Sequence, residues 1–561
     1  MVPCGFSAVS VGYYMEVLMP EATAPAKGLR RDAGVMGLLY ASLGGIIGSG
    51  WLFGPWHAAQ QAGPLSIISW ILGGGAILLL AMVYAELATM FPRSGAVVHF
   101  PQLSHGSLLA LIWSWILLFA YVSIAPAEVM AVLGYMNNLV PHWSMLNAKT
   151  QVLTPVGYVV AVVLMAVFTL FNLVGIRWVM HISNAAGWWK LGIPALAAVI
   201  LIFAGRHTEN LHVMAGTGTQ AFQGIFTALA TGGVIFSYFG FRGAIELAGE
   251  SSNPHRNIPI AVIGSVLIGM ALYIGLELAF LLAVNPTDLA QHGWKELAFS
   301  GQTGPFAALA SILGIGWLAT LLYIDAIVSP SGTGFIYTTT SSRIVMAMGE
   351  DKFIHPGLAI INKAGVPWLA VIFCFVVGLF FMLPFPSWQK IVSYITQVTE
   401  MSYGIGPIVL LTLRRLLPES KYRRPYRLAW AEFFGPFSFV VSNLIIYWGG
   451  IQALTWLVGL LLATFTVFII SRLRFGISGL TKLPWRTAWW VFPYLIGMWL
   501  ITFFGDSNMV GGLGKIIFPY DVIVIAVFSL GIMWLALRAA IPVEELEAYI
   551  KRQGIGPAQL L

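Results

Sequence analysis

Gly44-Gly45-Ile46-Ile47-Gly48-Ser49-Gly50 lies in the middle of an apolar run over about 35–57, with Gly54-Pro55 close behind. Each glycine weakens a helix by about 1 kcal/mol relative to alanine. Three glycines within five residues, around a serine, predict an unwound point inside a membrane-length helix. A second stretch has the same character: Thr231-Gly232-Gly233, then Ser237-Tyr238-Phe239-Gly240-Phe241-Arg242-Gly243, in an apolar run over about 223–249. About 190 residues, or five spans, separate the two. Unwound backbone at bilayer depth is tolerated only where it lines a cavity or is buried in protein. Interrupted helices at matching positions of two halves point to a transporter's binding site. Taken singly, each cluster also reads as close helix packing through small residues.

Composition supports the membrane reading. Of 561 residues, 58% are hydrophobic and 9% charged, whereas about a quarter of an average soluble chain is charged. Apolar runs of about 20 residues read as spanning helices, and the short alternating segments of a membrane β-barrel are absent from the sequence. Cys4 and Cys374 have no metal-type spacing and make no disulfide framework. Met1–Asp32 lacks the pattern of a cleaved signal peptide and reads as a cytoplasmic tail, the first span serving as insertion signal.

The fold class expected is all-α, a polytopic membrane protein with about fourteen transmembrane helices: about 35–57, 64–90, 107–139, 155–174, 182–204, 223–249, 258–284, 306–338, 366–383, 388–413, 434–449, 452–471, 487–504 and 520–540. They divide the chain into a tail (1–32), spans one to five (33–204), six to ten (205–416), eleven to fourteen (417–540) and a second tail (541–561). With the N-terminus inside, 22 of the 29 Lys and Arg residues fall in inside segments and 5 outside. That asymmetry sets both termini in the cytoplasm. It also accounts for the net charge of +7 without nucleic acid. Lys190 and Arg242 are the two cations left within spans.

The residues around the breaks resemble a known family. Gly44 to Phe53, Tyr84-Ala85-Glu86-Leu87-Ala88-Thr89-Met90-Phe91-Pro92-Arg93-Ser94-Gly95, and Phe239-Gly240-Phe241 followed by Glu250-Ser251-Ser252-Asn253-Pro254-His255-Arg256-Asn257-Ile258-Pro259 are similar to signatures of the amino acid–polyamine–organocation permeases. The likeness covers about residues 30–470, and spans thirteen and fourteen exceed the family's usual twelve. It implies a LeuT-type fold with inverted five-helix repeats, alternating access, and amino acids as substrate class. Tyr323-Ile324-Asp325-Ala326-Ile327-Val328-Ser329-Pro330-Ser331-Gly332-Thr333-Gly334 prompts a narrower likeness, to the prokaryotic aspartate–proton symporter group.

Candidate site residues follow. Ile47, Gly48, Ser49 and Gly50 offer backbone N–H groups, which at helix ends attract a carboxylate, and Ser49 adds a hydroxyl. The family likeness gives Phe236, Ser237 and Phe239 carbonyls for the substrate ammonium, with Phe236 as an aromatic gate. Trp51, Phe53 and Tyr238 read equally as site aromatics and as belt or packing aromatics. Lys190 is about eight residues, or about 12 Å, into span five. In some family members a lysine at this place replaces sodium and carries the coupling proton; the competing reading is a stem snorkelling to the inner face. Asp325 is an intramembrane carboxylate and a functional candidate by default, as a proton carrier, as a partner of Lys190, or as a structural acceptor. Ser329, Ser331 and Thr333 face the region where relatives hold sodium. Arg242 stands where the family has a glutamate. It is four residues from Glu246, an ion-pair spacing, and its planar fork also suits an acidic side chain of the substrate. Glu128 and Glu400 are candidates for cavity lining or proton relay, whereas Glu86 and Glu250 read as structural. Tyr403 is a candidate lining or packing residue.

No Gly-x-x-x-x-Gly-Lys-Ser/Thr loop or His-Glu-x-x-His motif occurs, so enzyme and primary-pump readings lack support. The function expected is secondary transport of an amino acid, an acidic one in the narrower reading, with a proton and no cofactor. The location expected is the cell membrane. Sodium coupling, obligate exchange, and a non-concentrative receptor or channel are the alternatives.

Overall fold

The computed structural model describes residues 33–552, except 94, 148–149, 175, 300–303, 352, 363–364, 421 and 476–484, and without the side chains of 138, 174, 176–186, 471–475 and 552. The tail read over 1–32, the end of the second tail, and Ser94 lie outside the described residues. The chain is built from helices: α1 (Val35–Ile46), α2 (Gly50–Ala62), α3 (Ser66–Met90), α4 (Ala96–His105), α5 (Ser107–Val122), α6 (Ile124–Leu139), α7 (Pro155–Val174), α8 (Ile176–Gly205), α9 (Thr219–Thr231), α10 (Val234–Ser237) and α11 (Gly243–Glu246). There follow α12 (Pro254–Ala283), α13 (Pro305–Ile312), α14 (Gly316–Glu350), α15 (Trp368–Met382), α16 (Trp388–Leu416), α17 (Ala431–Trp448), α18 (Ile451–Phe475), α19 (Val491–Phe504), α20 (Tyr520–Arg538) and α21 (Val543–Arg552). Among the described residues β pairing is limited to two isolated bridges, Ala33 with Ser251 and Leu146 with Leu153.

Eight helical stretches among the described residues are long and apolar enough to cross a bilayer. Their outer faces fit that solvent. On α20, Ile523, Val527, Leu530 and Trp534 form one exposed stripe at helical spacing, and α7 exposes Val159, Val163 and Leu170. Apolar surface of this extent is a liability in water and is matched by lipid tails.

Both expected breaks are present. The first apolar run is divided at Ile47–Ser49, between α1 and α2, and the second is divided into α9, α10 and α11. A third interruption was not foreseen. The run over 306–338 breaks at Leu313–Ile315, where Gly314 has φ +75°, and α14 then continues to Glu350.

A buried ionic clasp closes one end of the bundle. Glu86, at the end of α3, has no exposed surface. It accepts from Arg414 Nε and Nη2 at 3.0 and 2.6 Å and from the Leu428 backbone N–H at 2.7 Å, with Arg424 Nε at 3.3 Å. The structural reading of Glu86 therefore holds. Removing one partner of such a pair strands a buried charge, so Glu86→Ala should destabilise the fold by about 3 kcal/mol. Its melting temperature in detergent should fall by several degrees.

His105 on α4 reaches Ala536 O through Nε2 at 2.9 Å, and its Nδ1 is 2.8 Å from Ser104 Oγ. Burial pushes the imidazole down to about 4, and does the same to His99 on the same helix. The unfolded imidazole titrates near 6.5, so the unfolded chain binds more protons between the two values, and stability is lost as pH falls through that window. Thermal melts should be flat above about pH 7 and decline from about 6.5 toward 4. His105→Asn should make that decline shallower.

Candidate functional site

The two breaks meet backbone to backbone. Gly240 has φ +123°, and a Cβ there would lie 2.4 Å from the carbonyl carbon of Gly45. A Cβ on Gly50 would lie 2.3 Å from Ser237 Oγ, and one on Gly48 2.7 Å from Glu128 Oε1. These glycines therefore do two jobs: they let the helices unwind and they let the unwound segments touch.

Side chains from other helices satisfy the freed backbone. The Ser49 N–H donates to Glu128 Oε2 at 2.8 Å, and Ser49 Oγ accepts from Trp388 Nε1 at 2.9 Å. Lys190 Nζ donates to Gly44 O and to Thr333 Oγ1, both at 2.7 Å. Tyr273 OH donates to Ile46 O at 2.8 Å. Lys190 as a whole is 2% exposed, so its stem does not snorkel to the inner face. It bridges α8, the end of α1 and α14. Pro194, four residues further along α8, supplies no N–H to the Lys190 carbonyl, which loosens the helix at the lysine.

A small cavity lies between the breaks, lined by Gly45, Ile46, Gly48, Gly50, Ile124, Glu128, Phe236, Phe239, Thr333 and Tyr337. Gly48, Gly50, Phe236, Phe239, Glu128 and Thr333 were expected near such a site. Ile124 and Tyr337 were not, and neither was Trp388, which meets Phe236 edge-on at 5.9 Å and Phe53 at 5.1 Å. Ile47 and Ser237 are buried beside the cavity, the Ser237 hydroxyl bonding to Gly233 O of its own helix at 2.7 Å. Trp51 and Tyr238 pack inside the protein, against Phe306 and Trp70.

Two expectations need correction. Asp325 makes no direct ion pair with Lys190: its Oδ1 accepts from Ser329 Oγ at 2.7 Å, and Oδ2 has no hydrogen-bond partner. The two charges act on each other across space, but the ammonium is held at Gly44 O and Thr333. Arg242 makes no direct ion pair with Glu246. Its guanidinium is stacked between the rings of Tyr84 and Tyr403, 4.4 and 4.0 Å from their centroids. It donates to Ser402 Oγ at 2.8 Å, to Ser402 O at 2.9 Å and to Tyr84 OH. Pro407 helps to explain this. Lacking an N–H, it leaves the Tyr403 carbonyl without its helical donor, and Tyr84 OH donates there at 3.1 Å. Arg242 is not in the cavity wall. Phe239 is, and Phe239 packs edge-on against Tyr403 at 5.4 Å, so the two rings of Phe239 and Tyr403 separate cavity from cation.

A family model for amino acid permeases matches residues 34–504. The chain belongs to the amino acid permease family. It is 36% identical over 523 residues to the glutamate/serine transporter AimA of Bacillus subtilis (strain 168), covering 92% of this chain and 96% of that protein. It is 34% identical over 517 residues to the aspartate-proton symporter of the same organism, covering 91% and 97%. The branched-chain amino acid permease BcaP of that organism is 26% identical over 418 residues, covering 71% and 85%. The permease is thus a multi-pass membrane protein whose relatives transport amino acids. The two higher matches run past the expected limit near residue 470, into the C-terminal helices.

Among the described residues no group of three or more His, Cys, Asp or Glu side chains is placed to hold a metal ion. The permease's glycine contacts make a direct test. Gly240→Ala must meet backbone at 2.4 Å in a conformation that disfavours side chains; it should lose folded yield and transport together. Gly192→Ala, with nothing within 4 Å of its Cβ, should be neutral or slightly stabilising. The comparison is read by size-exclusion yield and amino acid uptake.

Proposed function

We propose that this permease is a secondary active transporter that brings an amino acid into the cell together with a proton. The framework is a LeuT-type arrangement of fourteen spans, with inverted repeats over spans one to five and six to ten and both termini cytoplasmic. Spans one, two, six and seven move against three, four, eight and nine, and access alternates because each ligand binds the two states with different affinity. Substrate lies between the breaks, its carboxylate on the N–H groups of Ile47 to Gly50 and its ammonium on carbonyls at Phe236 to Phe239.

The observation that carries the reading is the Lys190 bridge. An ammonium between Gly44 O and Thr333 Oγ1 occupies a spot where a sodium ion would want the same oxygens. Loss of its proton removes the charge from those hydrogen bonds, which frees the end of α1 from α14. Glu128 supplies a second link. Its carboxylate holds the Ser49 N–H that a substrate carboxylate needs; two anions repel at one donor, so substrate entry favours a protonated Glu128. Lys190 and Glu128 together thus tie proton uptake to substrate binding.

An acidic side chain is the favoured substrate feature. Arg242 is a permanently charged fork two rings beyond the cavity, with Nε unpaired. Two relatives above 30% identity are named for glutamate/serine and aspartate.

Purified permease in proteoliposomes should accumulate aspartate, glutamate or serine under an inward proton gradient, with and without sodium, and a protonophore should abolish it. Uptake that needs sodium, or that never exceeds the bath concentration, would sink the reading. Charge-assisted hydrogen bonds contribute about 1.5–3 kcal/mol each, so Lys190→Ala should cut proton-driven uptake more than about tenfold. Arg242→Gln should lower uptake of aspartate relative to serine by about tenfold; an unchanged ratio removes Arg242 from selectivity.

A further inference from the structure

Glu400 lies on α16 with no exposed surface, and neither carboxyl oxygen has a hydrogen-bond partner. It lines no part of the cavity between the breaks, and the transport reading above makes no use of it. Its face of α16 turns toward α17. Ser393 Oγ donates to Gly449 O, and Gln397 Nε2 donates to Ile446 O and Gly450 O, in the two turns before it. One turn after it, Gly404 lies against Phe439 and Ser442. Ser442 Oγ faces the Glu400 carboxyl outside hydrogen-bond geometry, and Thr396 Oγ1, one turn before Glu400 on its own helix, is also buried without a partner. Beside Ser442, Asn443 Oδ1 accepts from Tyr494 OH at 2.7 Å and Nδ2 donates to Ser529 Oγ at 2.9 Å. A polar seam therefore joins α16 and α17 to α19 and α20.

An ionised carboxylate is an acceptor with about four lone-pair sites. Left bare in an apolar interior, it carries a penalty of several kcal/mol. The hydroxyl facing Glu400, on Ser442, falls outside hydrogen-bond geometry, so the arrangement suits the neutral acid. The charged and titratable groups facing it are Arg242, Tyr84, Tyr403 and Tyr494. Arg242 is the cation among them. It is held two residues away on α16, by Ser402, with its own Nε unpaired. Acid and cation thus each have unused bonding capacity and are kept apart by the Ser402 and Tyr84 contacts.

We propose that Glu400 is a second proton-binding site, occupied in this arrangement and emptied when Arg242 leaves Ser402 and turns toward it. On release the Glu400 O–H bond breaks, the proton passes to water as hydronium, and the carboxylate left behind pairs with the guanidinium. Reloading reverses each step. Arg242 belongs to the second break, so proton release there is linked to movement of the broken span.

Infrared spectra of the full-length permease in lipid nanodiscs test the site without transport. Wild type should have a protonated-carboxyl C=O band that shifts in D2O and is missing in Glu400→Gln. Identical spectra would overturn the proposal. Proteoliposomes then test coupling, and this arm alone rests on the proton-symport reading. With aspartate, glutamate or serine as substrate, protons taken up per amino acid by Glu400→Gln should fall to roughly half the wild-type value. An unchanged ratio overturns the second site and leaves Lys190 coupling standing. If wild type takes up no protons with substrate, the symport reading fails, and the infrared band still decides whether Glu400 holds a proton. Should Glu400→Gln fold poorly, Glu400→Asp keeps the test open, with a shifted band expected and an unmoved one counting against it.

Discussion

Backbone polar groups cannot be left bare in a membrane interior, and an unwound helix exposes several at once. The permease meets that constraint by drawing side chains from distant helices onto the first break. Glu128 takes the Ser49 N–H, Lys190 takes Gly44 O, Tyr273 takes Ile46 O, and Thr333 Oγ1 lies 3.3 Å from Ile47 O. Ser42 Oγ bonds to Phe241 O and accepts from the Ala244 N–H, so the first broken span also closes the second. The site is therefore not a hole lined after the fact. The same contacts that satisfy the breaks bring α1, α6, α8, α12 and α14 to one point.

That arrangement explains how much was legible beforehand. Glycine spacing and apolar runs foretold both breaks, because unwinding is a local property of Gly44–Gly50 and Gly232–Gly243. The depth of Lys190 was legible for the same reason: a cation in an apolar run can be counted from the span's end. Its partners were not. Gly44 and Thr333 are 146 and 143 residues away in sequence, and no local pattern says which carbonyl an ammonium will find. Asp325 read as one candidate partner because it is an opposite charge within an apolar run.

Arg242 and Glu246 carry the same lesson at close range. Four-residue spacing makes an ion pair possible on a helix, but two tyrosine faces and the Ser402 oxygens lie nearer the guanidinium. Those competitors come from α3 and α16, about 160 residues away in either direction. The break at Leu313–Ile315 was missed because a single Gly314 is a weak signal beside clusters of three or more. The cavity-wall roles of Ile124 and Tyr337 left no sequence signal, since any apolar or aromatic residue at those places reads as packing.

Pro407 has a mechanical meaning. A helix lacking one internal hydrogen bond bends most easily at that joint, and here the joint falls at Tyr403, against which both Arg242 and Phe239 rest. Tyr84 fills the vacant acceptor from outside the helix, like a pin through a hinge. The helix α16 is thus a jointed lever rather than a rod. Its N-terminal arm holds Ser49 through Trp388, and its C-terminal arm is fastened by Arg414 to Glu86, so the two arms answer to different helices.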